Sequence, residues 1–399
     1  MIAAPPSEEQ VLDLLRAVID PELGADIVSL GMVPGVSVSP EGDVVVGVKL
    51  TIGGCPLRAQ IKKDIESRVA VHSGVRDVRI EWGEMNSEER TDVMLKARWN
   101  ARETAPATAV PLTTRVLAIA SGKGGVGKSA VTVNLAAAVA AQGFTVGVLD
   151  ADIWGFSVPR LLGIDEPLEA QRVEGSDKPK IIPNELPVGP KSRGGLLKVV
   201  STGFLVEEGT ALMWRGLMLT KAVEQFLHDV EWGELDYLFI DMPPGTGDVQ
   251  MGLARMLPRT DLLIVTTPAL AAQKVAARAA DMARRSFLRV CGVIENMSAF
   301  TCEHGETYTL FGEGGGQALA DEIGVPLLGR VPIEAAVTVG GDAGTPVSLA
   351  GTGAAAKEFR AIAQRIVEEV APPTNMAGCS ARMLNLAAAA LDAHDTAAK

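Results

Sequence analysis

Gly122-Lys123-Gly124-Gly125-Val126-Gly127-Lys128-Ser129 is the stretch that decides how this chain is read. It fits the phosphate-loop pattern G-x-x-x-x-G-K-[ST] and adds a second lysine, Lys123, near its start. Residues 115–120 before it (RVLAIA) predict a short apolar strand. Residues 130–141 after it (AVTVNLAAAVAA) predict a helix of small and apolar residues. Strand, glycine loop and helix thus follow in the order a phosphate cradle requires. Backbone N–H groups can converge on an anion only where side chains do not intervene, which explains the glycines. The helix adds the positive end of its dipole to the same place. Lys128 is expected to reach the β- and γ-phosphates of a nucleotide, and Ser129 to ligate Mg2+.

Working outward, apolar runs alternate with helical segments from residue 115 onward. Candidate strands cover 145–149, 237–240, 262–266, 290–294 and 326–331, and 357–370 predicts a closing helix. Short, continuously apolar strands separated by helices predict an α/β fold with a mostly parallel sheet covered on both faces. Two of these strands end in acidic segments, Asp150-Ala151-Asp152 and Asp241-Met242-Pro243-Pro244-Gly245-Thr246-Gly247-Asp248. Ligands of such sheets sit at the carboxyl ends of strands. Asp241 is therefore the expected Mg2+ partner, with Asp152 nearby; a helix-capping role is the alternative for each.

Before this lies a small α/β domain over residues 1–100. Ser7 and Gln10 form a capping-box signature ahead of Val11, Leu12, Leu14, Leu15 and Val18. Strands are expected at 32–38, 44–51 and 75–82, with a helix after Pro56 carrying Leu57, Ile61, Ile65 and Val69 on one face. Residues 101–114 (ARETAPATAVPLTT) read as a linker and 115–372 as the nucleotide-binding domain. Residues 373–399 form an Ala-rich tail. Residues 165–190 are polar and proline-bearing, and read as a surface insertion.

The chain has 399 residues and a formal charge of −12, from 37 Lys+Arg against 49 Asp+Glu. That balance speaks against a general nucleic-acid or anionic-membrane binder. No signal peptide or bilayer-spanning run is read, so the expectation is a cytoplasmic protein with no nucleic-acid or membrane partner. The four cysteines, Cys55, Cys291, Cys302 and Cys379, are scattered and form no disulfide framework. Cys291 lies in an apolar strand and reads as core, Cys379 as a surface thiol. Cys55 precedes a helix started by Pro56. It reads either as a thiolate favoured by that helix end or as a small hydrophobe at a turn.

GKGGVGKS, DADIWGFSVP and DMPPGTGD together resemble the Mrp/ApbC-type ATPases, iron–sulfur cluster carriers of the deviant phosphate-loop class that includes the MinD and ParA ATPases. Met213-Trp214-Arg215-Gly216, Glu295-Asn296-Met297-Ser298 and Phe311-Gly312-Glu313-Gly314-Gly315-Gly316 are similar to that family too. The first domain resembles the SufT-type iron–sulfur assembly domain in Asp20-Pro21-Glu22, Ser29-Leu30-Gly31 and Thr51-Ile52-Gly53-Gly54-Cys55-Pro56. The resemblance implies an ATP-binding, ATP-hydrolysing homodimer that carries clusters from scaffold proteins to apo-iron–sulfur clients. Lys123 then corresponds to the signature lysine acting on the partner's nucleotide, Asp152 to the residue positioning the attacking water, and Asn296 to a purine contact. The family's Cys-x-x-Cys pair is incomplete: Cys302 matches the first cysteine, and the second is absent from Phe300-Thr301-Cys302-Glu303-His304-Gly305-Glu306. Cys302, with His304 two residues on and Cys55 as a further donor, is the candidate cluster-ligand set. The alternative keeps Cys302 and His304 as ordinary loop residues. The chain would then be a nucleotide-switched scaffold or a positioning ATPase without a cluster.

Overall fold

The computed structural model describes the chain except residues 1–4, 21–22, 24, 52–57, 71, 73, 105, 153–154, 173–177, 190–193, 206–215, 246–247, 287 and 374–399. For residues 94, 97–104, 205, 216–220 and 248 it describes the backbone alone. The chain divides into two units, 1–105 and 106–399.

In the first unit the helix Glu8–Leu15 opens on the expected capping box. The Gln10 N–H donates to Ser7 Oγ at 3.2 Å and the Ser7 N–H to Gln10 Oε1 at 2.8 Å. Strand Asp43–Leu50 alternates buried and half-buried residues. Its buried residues are Val44, Val46, Val48 and Leu50, and helix Arg58–Val69 buries Ile61, Ile65 and Val69. The strand pairs antiparallel with Val36–Val38 and parallel with Asp77–Glu84. The first of these strands is shorter than the expected 32–38. Pro34 has no N–H, so residues 32–35 accept only isolated bonds, Lys49 N–H to Met32 O and Gly47 N–H to Gly35 O. Helix Ser87–Thr104 was not expected and runs into the stretch read as a linker.

The second unit is built on a nine-stranded sheet. Its strands are β1 (Arg115–Ala120), β2 (Thr145–Asp150), β3 (Asn184–Val188), β4 (Gly195–Ser201), β5 (Tyr237–Asp241), β6 (Asp261–Thr266), β7 (Arg289–Thr301), β8 (Thr307–Tyr308) and β9 (Leu327–Ile333). The order is β3-β4-β2-β5-β1-β6-β7-β8, with β9 beside β7. Only the edge pairs β3–β4 and β7–β8 are antiparallel. Side chains alternate across β1. Leu117 and Ile119 join one apolar layer with helices Lys128–Ala140 and Ala354–Arg365. Val116, Ala118 and Ala120 join the other with helices Asp248–Met256, Leu270–Arg285 and Gly315–Ile323. Burial on both faces explains why these strands read as unbroken apolar runs.

Two expectations change. Residues 165–190 are more than a surface insertion. Glu169–Gln171 pairs with Lys180–Ile182, and β3 extends the main sheet as its edge, with Val188 buried. The closing helix is α-helical over Ala354–Arg365 and ends in a wider turn over Ile366–Val370. The second half of the linker belongs to this unit. The Arg259 guanidinium donates to the Val110 and Pro111 carbonyls at 3.0 and 2.9 Å, and Thr114 Oγ1 donates to Leu235 O at 2.8 Å.

Candidate functional site

The glycine loop leaves the carboxyl end of β1 and enters helix Lys128–Ala140. Its glycines are demanded by position. Gly125 and Gly127 have φ of +79° and +78°, a region costly for a side chain. A Cβ on Gly122 would stand 2.3 Å from the backbone of Val275 and Ala276. A Cβ on Gly127 would stand 2.3 Å from Asn296 Nδ2. Asn296, near the end of the buried part of β7, donates that Nδ2–H to Val126 O at 2.8 Å. Strand β7 thus holds the loop from the side.

At the head of the helix three side chains converge on Asp241, the last residue of β5. The Lys128 ammonium donates to Oδ1 at 2.7 Å, Ser129 Oγ to Oδ2 at 2.5 Å, and Thr132 Oγ1 to Oδ1 at 2.9 Å. The Lys128 and Asp241 side chains are 6% and 0% exposed, so the charges of this pair must answer one another. Ser129 Oγ and the Asp241 carboxylate are hard oxygen donors of the kind Mg2+ takes. With an ammonium beside them and the N-terminal end of helix Lys128–Ala140 carrying both Lys128 and Ser129, the set fits Mg2+ and a nucleotide polyphosphate. Thr132 was not foreseen; it lies four residues after Lys128, on the same helix face. Lys123 is exposed, and its carbonyl accepts from Ser121 Oγ at 3.0 Å. The loop after Asp241 is tied down at Gly245, whose N–H donates to Ser121 O at 3.0 Å.

Asp150 ends β2 as the register partner of Asp241. Burial first, then the Asp241 charge, push its carboxyl up to about 7, against the pull of N–H donors from Asp152 and Val158 and of the Lys128 charge. Asp152, the candidate for water positioning, is half-buried two residues on.

The candidate cluster residues lie farther along β7. Phe300 and Thr301 pair with Tyr308 and Thr307, making a hairpin with Cys302 at its turn. The Cys302 N–H donates to Glu306 O at 2.9 Å and the Gly305 N–H to Cys302 O at 3.0 Å. Cys302 is half-buried. His304 is 81% exposed, 3.7 Å from a Glu303 oxygen. Among the described residues no three of His, Cys, Asp and Glu gather where they could hold one metal ion. Cys55, Trp214, Arg215 and Cys379 lie outside the described residues. Cys291 is buried, its thiol donates to Leu262 O at 3.3 Å, and burial pushes it up to about 12.

Gly315 and Gly316, after the hairpin, serve close packing. A Cβ on Gly315 would stand 2.2 Å from Pro268 O, and one on Gly316 2.6 Å from Glu295 Cβ. Buried Glu295 accepts the Gly316 N–H at 2.5 Å, placing a carboxylate at the positive end of helix Gly315–Ile323.

A family model described as "NUBPL iron-transfer P-loop NTPase" matches residues 113–367, and one described as "Iron-sulfur cluster assembly protein" matches residues 8–82. The chain is 44% identical over 343 residues to the iron-sulfur cluster carrier protein of Mycobacterium leprae, covering 84% of this chain and 86% of that protein. It is 42% identical over 369 residues to the protein of the same name from Deinococcus radiodurans, covering 92% and 96%. Among solved structures it is similar to a nucleotide-binding protein in complex with ADP from Archaeoglobus fulgidus. That match has 36% identity, 58% and 86% coverage and a TM-score of 0.47. With a family match spanning most of the chain and an ordered glycine loop, lysine and Mg2+-type oxygen pair, this chain belongs to the iron-transfer P-loop NTPases.

Proposed function

We propose that this protein is an ATP-hydrolysing carrier that takes up an iron–sulfur cluster and passes it to apo-proteins, working as a homodimer. The observation that carries the nucleotide half is the convergence of Lys128, Ser129 and Thr132 on Asp241. Lys128 would exchange Asp241 for the β- and γ-phosphate oxygens, and Ser129 and Asp241 would hold magnesium. The metal neutralises the phosphate charge when bound. Asp152 orients the attacking water. Lys123 of the partner subunit meets the charge that develops on the transferring phosphoryl group, as its exposure in a single copy allows. Asn296 contacts the purine.

The relatives' name supports the cargo. Cys302 of each copy supplies one thiolate at the two-fold axis, with His304 completing the donors; Cys55 is the other candidate ligand. Two thiolates and weaker partners hold a cluster loosely, which suits delivery. The test is anaerobic reconstitution of wild type, Cys302→Ala and Cys55→Ala with iron and sulfide, followed by transfer to an apo-[4Fe–4S] acceptor. Iron, sulfide and near-visible absorbance are measured per dimer. Wild type is expected to load and transfer, and Cys302→Ala to lose most of its cluster. Equal loading of these two removes Cys302 from the site. No cluster in any of the three proteins turns the reading to a nucleotide-switched scaffold.

A further inference from the structure

Asp150 takes no part in the chemistry above, yet its carboxylate is 0% exposed at the carboxyl end of β2. A carboxylate withdrawn that far from water must be met by donors. Oδ1 accepts the N–H of Asp152 at 3.1 Å. Oδ2 accepts the N–H groups of Ser157 and Val158 and the hydroxyl of Ser201, each at 3.2 Å. The chain that leaves β2 therefore folds back onto the side chain of its own first residue. Asp152 is fixed on both sides: its N–H by Asp150, and its carbonyl by the Gly155 N–H at 3.3 Å. Fully buried, Asp150 presents no surface to a nucleotide or its water.

We propose that Asp150 is a positioning residue for hydrolysis, holding the Asp152 backbone so that the Asp152 carboxylate addresses the attacking water. This rests on the reading that the chain hydrolyses ATP through Asp152. The donors are divided unevenly between the two oxygens, and that division supplies the test. An asparagine at 150 has one acceptor oxygen and one NH2. Its oxygen keeps three donors only in the place of Oδ2. Its NH2 then faces the Asp152 N–H, donor against donor. Asp150→Asn thus releases Asp152 and keeps the anchor at Ser157, Val158 and Ser201.

The experiment compares full-length wild type, Asp150→Asn, Asp152→Asn and the double variant. It reads fluorescent-nucleotide affinity, kcat for ATP, and amide hydrogen exchange across residues 151–158. Asp150→Asn is expected to lower kcat by about tenfold to a hundredfold, the scale of a misplaced catalytic group, with affinity within about twofold of wild type. The double variant is expected to be no slower than Asp152→Asn alone, because Asp150 acts through Asp152. Exchange should speed up at the Asp152 amide while those of Ser157 and Val158 stay protected. Wild-type turnover in Asp150→Asn, losses that multiply in the double variant, or affinity lost together with turnover would each overturn the inference. A wild type that does not hydrolyse ATP, or Asp152→Asn at full rate, defeats the ATPase reading instead. Hydrogen exchange then still decides whether Asp150 holds Asp152, since unchanged exchange at Asp152 overturns that independently of activity.

Discussion

Lys128 carries two duties that its burial makes inseparable. It is the counter-charge for Asp241, whose side chain has no exposure, and in the proposed function it is also the cation for the phosphates. Removing one member of a buried pair leaves the other charge uncompensated, at a cost of about 3–5 kcal/mol. Ser129 and Thr132 still donate to Asp241, so the lower end of that range is expected. Lys128→Met should therefore lower the unfolding midpoint as well as weaken ATP binding. The loss of binding should be at least roughly tenfold, the worth of a charge-assisted hydrogen bond. Adding Asp241→Asn should return part of the stability, because the Asp241 charge that Lys128 had answered is then gone, and none of the affinity. Chemical denaturation and nucleotide titration of the three variants check this. A double variant less stable than Lys128→Met would show that the pair is not the source of the loss.

At the scale of elements, the loop and β7 act as one body, because Asn296 bonds Val126 O and stands where a Cβ on Gly127 would go. Gly127→Ala meets a positive φ, costing about 1–2 kcal/mol, and a clash with Asn296 Nδ2. It should lower Tm and reduce nucleotide affinity. Adding Asn296→Ala should relieve the clash and recover part of the Tm, leaving the φ cost; scanning calorimetry of the pair separates the two terms. How legible these elements were in the sequence follows from what sets each one. Buried parallel strands such as β5 and β6 stood out because both faces are apolar. The loop stood out because its glycines and lysine answer a local demand of the backbone. Strands β3 and β4 did not, because Glu185, Pro187 and Lys198 interrupt the apolar run and only the neighbouring strand sets their pairing. Helix Ser87–Thr104 is largely charged and shows no apolar stripe to read. Partners far apart in sequence were also hidden. The Thr132 and Lys128 side chains reach Asp241 across more than a hundred residues of chain, and the Ser201 hydroxyl reaches Asp150 across fifty-one. A residue type can announce a role, whereas a contact of that kind is made by the fold.

For the whole molecule, the question is whether one copy holds a complete site. Lys128, Ser129 and Asp241 meet within one chain, and Lys123 of the same loop is exposed. If each site in a face-to-face dimer uses its own Asp152 and Lys123 of the partner subunit, then Lys123→Ala and Asp152→Asn homodimers are both inactive for different reasons. Mixing them separates the arrangements. In a mixed dimer, the Lys123→Ala subunit keeps its own Asp152 and receives an intact lysine from its partner, so one site is whole. The other site lacks both groups. Half the dimers in an equal, randomly exchanged mixture are mixed, and each has one working site of two. Turnover should therefore recover to about one quarter of the wild-type rate per subunit. A lysine acting within its own chain leaves every subunit of the mixture defective, and no recovery follows. The measurement is ATP hydrolysis after the two variants are mixed and allowed to exchange, with nucleotide binding confirmed in each beforehand. Recovery near a quarter assigns Lys123 across the two-fold axis, and a flat baseline places it within its own site.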